Sequence, residues 1–213
     1  MRTAITGSIV ALALLAAGAV RADEAWVSTG SYRPSATMWL LNWEIAGPIG
    51  DFGKYISDTS LRGFSVEGRS FVKENLTVGG SFSWNRYQQT YSSLTVPVGN
   101  GVATGPVYRY ADMFALRALV HYYFGKGNLQ PYLGAGIGGA WSYAYQQVAD
   151  LSRNQSNFNF ILSPEVGLIF RVAGGGTNAG LNVAFRYTYT TATVGTYKDA
   201  QTLSGIVGIA GSY

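Results

Sequence analysis

His121 is the single histidine of this 213-residue chain, and so its one side chain with an ordinary titration near neutral pH. A hydrolytic triad built on it would need a hydroxyl nucleophile and an orienting acid. Ser142 or Ser163 with Glu165 supply those residue types, but no local signature surrounds them. A lone histidine on the inner face of a strand usually serves as a satisfied polar core residue, and no catalytic residue is expected. The chain has no cysteine, so neither a thiolate metal site nor a disulfide framework can form. No metal and no cofactor are expected.

Other motifs dissolve in their context. Gly134-x-Gly136-x-x-Gly139 spells the dinucleotide fingerprint, which requires a strand before it and a helix opening on it. Here alternation runs straight through to Tyr145. Gly134-x-x-x-Gly138 spells a helix-pairing motif without the apolar 20-residue stretch it needs. Asn75-Leu76-Thr77 and Asn154-Gln155-Ser156 match the glycosylation sequon, a three-residue pattern that carries little weight by itself. The Gly-rich stretch 98–105 has no helix after it and reads as an external loop, not a phosphate cradle.

The charged residues that remain are more informative. Glu44, Glu67, Arg69, Arg117, Glu165, Arg171 and Arg186 all fall, with His121, on the polar side of alternating segments. Alternation places one residue set on each face of a strand. Eight segments follow this grammar: about 36–46, 61–72, 76–88, 111–124, 130–145, 157–172, 180–191 and 203–213. In the first, Trp39, Leu41, Trp43 and Ile45 oppose Leu40, Asn42 and Glu44. In the third, Val78, Phe82 and Trp84 oppose Thr77, Ser81, Ser83 and Asn85. In the sixth and seventh, Phe160, Leu162, Val166, Val183 and Phe185 oppose Glu165, Asn182 and Arg186. The second is the weakest, with Phe64 and Val66 against Ser65, Glu67 and Arg69.

The links alternate as well. The first, third, fifth and seventh are long or polar. The second, fourth and sixth are short turns. That rhythm belongs to barrels with long outside loops and short periplasmic turns. The pattern predicts an all-β fold, an eight-stranded antiparallel up-and-down transmembrane β-barrel over residues 36–213. Eight strands leave an interior just wide enough for side chains to fill. Gly134, Gly136 and Gly138 leave room for long side chains opposite them. The eight inward residues are expected to form a network of ion pairs and hydrogen bonds that plugs the lumen, because unpaired buried charge is costly. A narrow passive pore is the alternative, favoured if charges ring an open lumen. A lipid-modifying hydrolase comes third.

Composition agrees. Charged residues are only 12% of the chain, glycine numbers 28 and aromatics reach 14%. Arg2 followed by the apolar stretch 9–19 and a small-residue site at Ala22 reads as a secretory signal peptide over residues 1–22. Residues 23–35 form a lead-in without clear period. Without the leader, thirteen basic side chains face eleven acidic ones, so net charge falls from +4 to +2 and no nucleic-acid footprint is visible. The aromatics at strand ends suit membrane interfaces. Tyr122, Phe124 and Tyr213 would mark the periplasmic side, and Trp84, Tyr143, Tyr145, Tyr187 and Tyr189 the outer one. A carbohydrate-binding aromatic patch is the competing reading, disfavoured because these residues alternate along strands instead of gathering in one loop.

The segment Gln130-Pro-Tyr-Leu-Gly-Ala-Gly-Ile-Gly-Gly139, with Pro164-Glu165-Val-Gly-Leu-Ile-Phe-Arg171 and the terminal Tyr213, resembles the small outer-membrane β-barrel domain family of the OmpA/OmpX type. The resemblance spans about Trp39 to Tyr213. It implies residence in a Gram-negative-type outer membrane after signal-peptide export, contact with outer-membrane lipid and lipopolysaccharide, and recognition of the C-terminal strand by the barrel assembly machinery. An unknown extracellular ligand for the loops is the expected functional partner. The expected role is structural or interactive.

Overall fold

In the computed structural model the described residues are 37–98, 100–124, 128–148, 151–171, 179–194 and 197–212. The leader, the lead-in and Tyr213 lie outside them. Eight strands run in chain order: β1 (Thr37–Ile49), β2 (Ser60–Lys73), β3 (Leu76–Val98), β4 (Gly101–Tyr123), β5 (Leu129–Val148), β6 (Leu151–Arg171), β7 (Ala179–Val194) and β8 (Tyr197–Ser212). Each pairs antiparallel with its neighbours, and β1 pairs with β8, so the sheet closes on itself. Closure gives each strand a partner on both sides within the barrel wall and leaves no edge there.

Which face looks inward follows from burial. Arg69 and Arg186 are 0% and 1% exposed, whereas Leu41, Phe185 and Ile209 are 53%, 61% and 61% exposed. The apolar set therefore faces outward and the polar set inward on every strand. The weakly patterned β2 obeys the same parity, with Phe64 and Val66 exposed and Ser65, Glu67 and Arg69 buried.

Two parts of the outer end depart from the sequence reading. The link after β1 contains a short helix, α1 (Gly50–Tyr55), entered through Gly50 at a φ of 60° that glycine adopts without strain. Its Phe52 and Tyr55 are buried with Tyr87, Met113 and Ile161 in an apolar cluster inside the outer half of the barrel. The polar stretches expected as loops at about 89–110 and 146–156 are strand hairpins, because β3 and β4 pair as far as Val98↔Gly101 and β5 and β6 as far as Val148↔Leu151. Above a bilayer both faces of a hairpin meet water, so polar residues on both sides are tolerated and the alternation that marks the wall disappears. A second apolar cluster, including Met38, Leu40, Phe71, Tyr123, Ile169 and Ile206, fills the other half of the interior.

Candidate functional site: a charged layer inside the barrel

Between these two apolar clusters lies a layer of paired charge. Register explains how it assembles. Glu44 on β1 stands beside Gly63, Glu67 on β2 beside Leu40, and Glu165 on β6 beside Arg186 on β7. Period-two alternation turns all four side chains to the axis.

Arg186 is the hub. Its Nε donates to Glu165 Oε2 at 2.6 Å, its Nη1 to Glu44 Oε1 at 2.8 Å and its Nη2 to Glu67 Oε1 at 2.5 Å. One guanidinium thus binds three carboxylates from three different strands, a use of its planar fork that lysine could not reproduce. Arg69 supplies a second cation. Its Nε and Nη2 donate to Glu67 Oε2 at 3.0 and 2.6 Å, and Nη2 also reaches Glu165 Oε1 at 3.3 Å.

Neutral groups complete the layer. Arg69 Nη1 donates to the Tyr123 hydroxyl at 3.0 Å, and the Tyr132 hydroxyl donates to Glu165 Oε1 at 2.7 Å. The Arg69 guanidinium also lies 4.8 Å from the centre of the Tyr132 ring. Asn85 Nδ2 donates to Glu44 Oε2 at 2.9 Å. Asn182 Nδ2 donates to Asn42 Oδ1, and Asn42 Nδ2 in turn donates to Ser65 Oγ. Tyr123 and Tyr132 are absent from the expected network. Continuing the parity of β4 past His121, and of β5 back from Gly134, would have found them.

The structure therefore brings together Glu44, Glu67, Arg69, Glu165 and Arg186. His121 comes near, its Nε2 3.7 Å from Glu165 Oε1, but neither ring nitrogen has a hydrogen-bond partner among the described residues. Arg117 is buried in the lumen, yet its Nε and Nη1 also have none. It does not join the network as expected, because its strand neighbours on the inner face, Ser81 and Gly138, offer no carboxylate. Arg171 lies six positions beyond Glu165, roughly 20 Å along β6, and belongs to the barrel's end. The hydroxyls weighed as nucleophiles are engaged elsewhere: Ser142 Oγ accepts from Asn159 Nδ2 at 2.9 Å, and the Ser163 and Thr188 hydroxyls hydrogen-bond each other at 3.4 Å.

The glycines opposite are required by space. A Cβ on Gly134 would collide with the His121 ring, and one on Gly138 with the Leu116 carbonyl.

The outward aromatics divide into two groups. Tyr122 and Phe124 are exposed at one end and meet edge to face at 5.1 Å. At the other, Phe64, Trp84, Phe114, Trp141 and Phe158 occupy one cross-strand row from β2 to β6. Tyr143 and Tyr145 lie just beyond that row on β5, both close to Tyr110 of β4. Tyr187 and Tyr189 face outward on β7, each half-buried.

No family model and no curated protein matches the chain. Solved structures do. Ail, the attachment invasion locus protein of Yersinia pestis, superposes with a TM-score of 0.55 at 12% identity, covering 85% of this chain and 100% of that one. Neisserial surface protein A gives 0.56 at 14% identity, covering 85% and 98%. The fold is that of the small eight-stranded outer-membrane barrels. At such identities the likeness speaks for the fold alone.

Proposed function

We propose that this chain is an integral barrel of a Gram-negative-type outer membrane, with its lumen closed by charge pairs and with a structural or surface-interaction role carried by its outer hairpins. The observation that supports this most is the bridging of Glu44, Glu67 and Glu165 by Arg186 across the axis. Those bonds draw four strands together where a pore would need open space. The buried apolar clusters that adjoin the layer are in keeping with a closed interior. On the outside, the exposed apolar set has no partner among the described residues, and acyl chains would cover it.

Two measurements test the reading. Fractionation should place the protein in the outer membrane, with migration on a gel that shifts on heating. In planar bilayers the purified protein should give no steady unitary currents. Regular conductance steps would favour the narrow pore instead, and recovery in the soluble fraction would end the membrane assignment.

A further inference from the structure

On five consecutive strands the outward apolar run stops at a single row, Phe64–Trp84–Phe114–Trp141–Phe158. The next outward residues along those strands are Arg62, Arg86, Asp112, Tyr143 and Ser156. This change of character marks the upper limit of acyl-chain contact. Above it, register stacks three cross-strand rows on β3, β4 and β5: Arg86–Asp112–Tyr143, Gln88–Tyr110–Tyr145 and Thr90–Tyr108–Gln147. An open cleft of about 380 Å³ lies against these rows, lined by Arg86 and the members of the upper two rows together with Arg109 from the opposite parity of β4.

The chemistry of the cleft is mixed in a particular way. Tyr110 and Tyr145 stack with centroids 4.9 Å apart and planes 23° from parallel. Arg86 holds Asp112 through Nε and Nη2, both at 2.7 Å, and its guanidinium lies 5.7 Å from the Tyr110 ring centre. Its Nη1 makes no hydrogen bond among the described residues. Tyr108 is exposed. The Gln88 and Gln147 amides flank the ring pair. Flat aromatic surface beside amides and a charge-balanced guanidinium fits a sugar ring, whose apolar C–H face stacks while its hydroxyls take the polar groups. Of the two cations at the cleft, Arg86 is held by Asp112, and Arg109 is turned to the Tyr55 carbonyl at 3.0 Å with its guanidinium over the Tyr55 and Tyr91 rings, so neither is offered bare to a simple anion.

Height decides the source of the sugar. Two residues advance ~6.8 Å along a strand, and a tilt of ~40° reduces that to ~5 Å along the membrane normal. The three rows therefore stand ~5, ~10 and ~15 Å above the acyl boundary, whereas phospholipid headgroups fill only ~5–8 Å on each side of the hydrocarbon. The upper two rows lie where only a lipid with a saccharide headgroup still presents a headgroup. We infer that the outward face of the β3–β4–β5 hairpins binds the saccharide headgroup of an outer-leaflet glycolipid, with Tyr110 and Tyr145 as its stacking platform. This rests on the membrane reading above.

The test uses the full chain reconstituted in phosphatidylcholine vesicles and first checked for heat-modifiable migration. Energy transfer from its tryptophans to a trace of dansyl-labelled lipopolysaccharide, or of dansyl-labelled phosphatidylglycerol, gives the relative association of each lipid with the barrel. The wild type should prefer the glycolipid. Tyr110→Ser with Tyr145→Ser should lower that preference about tenfold, the loss expected for two ring contacts. Tyr110→Phe with Tyr145→Phe should keep it, as should Tyr187→Ser with Tyr189→Ser on the far side. If the serine pair does not fold, Gln88→Ala with Gln147→Ala carries the same expectation at a few-fold. Equal association of the two lipids in a properly inserted barrel, or an unaltered preference in the serine pair, would overturn the inference while leaving the membrane reading intact. Equally tight binding of the deacylated saccharide would overturn the lipid source. A chain that never inserts would instead defeat the membrane reading.

Discussion

The two sides of the barrel interior treat buried charge in opposite ways. On the side built by β1, β2, β6 and β7, every carboxylate meets a guanidinium: Arg186 takes Glu44, Glu67 and Glu165, and Arg69 takes Glu67 and Glu165. On the side built by β3 and β4, Thr77 Oγ1, Ser81 Oγ, both His121 ring nitrogens and two nitrogens of Arg117 lack partners among the described residues. Yet the middle of the lumen, among the described residues, holds the three carboxylates of Glu44, Glu67 and Glu165 and the three guanidiniums of Arg69, Arg117 and Arg186. Charge balance across a cavity is thus a different thing from pairing within it. Pairing needs strands whose register puts opposite charges within reach, and β3 and β4 place only hydroxyls beside Arg117 and His121.

The sharpest way to break this contrast is to remove the hub. Arg186→Met strands three buried carboxylates around an apolar side chain. Breaking a buried pair by deleting one partner costs about 3–5 kcal/mol, and the loss should lie at the upper end here because three acids share the cation. Urea unfolding of the barrel in phosphatidylcholine vesicles reads it. A loss under ~1 kcal/mol would mean that the carboxylates are hydrated, and that the lumen is open to water.

A smaller effect tests the space on the unpaired side. Gly134→Ala drives a methyl group into the His121 ring, and overpacking of this kind costs about 1–3 kcal/mol. Adding His121→Ala should restore most of it, since the two residues face each other across the β4–β5 ladder. Additive losses in the double variant would show that the collision is relieved by another route and that His121 does not set the need for glycine.

Much of this arrangement is legible in the chain, for a physical reason. A wall between lipid and a packed lumen imposes period two on every residue, so the inward positions of Glu44, Glu67, Arg69, Glu165 and Arg186 follow from spacing alone. Even β2, whose pattern is faint, is fixed by its neighbours. What spacing does not carry is height. Arg117 and Arg171 have the right parity, but parity says nothing about which residues share a level, and level decides pairing. Register depends on the summed geometry of seven links, so one arginine finds three acids while another finds a serine and a glycine. The outer hairpins fail for the opposite reason. With water on both faces, no constraint forces alternation, and strands read as loops. The same loss of signal hid the Tyr110–Tyr145 stack, because those residues come from different strands and meet only through register.

The smallest effect is the most discriminating between the two sides. Arg117→Met removes a buried cation whose Nε and Nη1 bond to nothing described, and puts a flexible apolar chain of similar length in its place. The lost long-range attraction to the three carboxylates opposes the relief of unsatisfied donors, each of which costs about 1–3 kcal/mol when buried without a partner. These terms are of similar size, so stability should change by less than ~1 kcal/mol in either direction. Arg186→Met and Arg117→Met delete the same group from the same lumen, and only pairing separates them. If Arg117→Met proved as damaging as Arg186→Met, total charge would be what stabilises the interior, and the division into a paired and an unpaired side would have no energetic meaning.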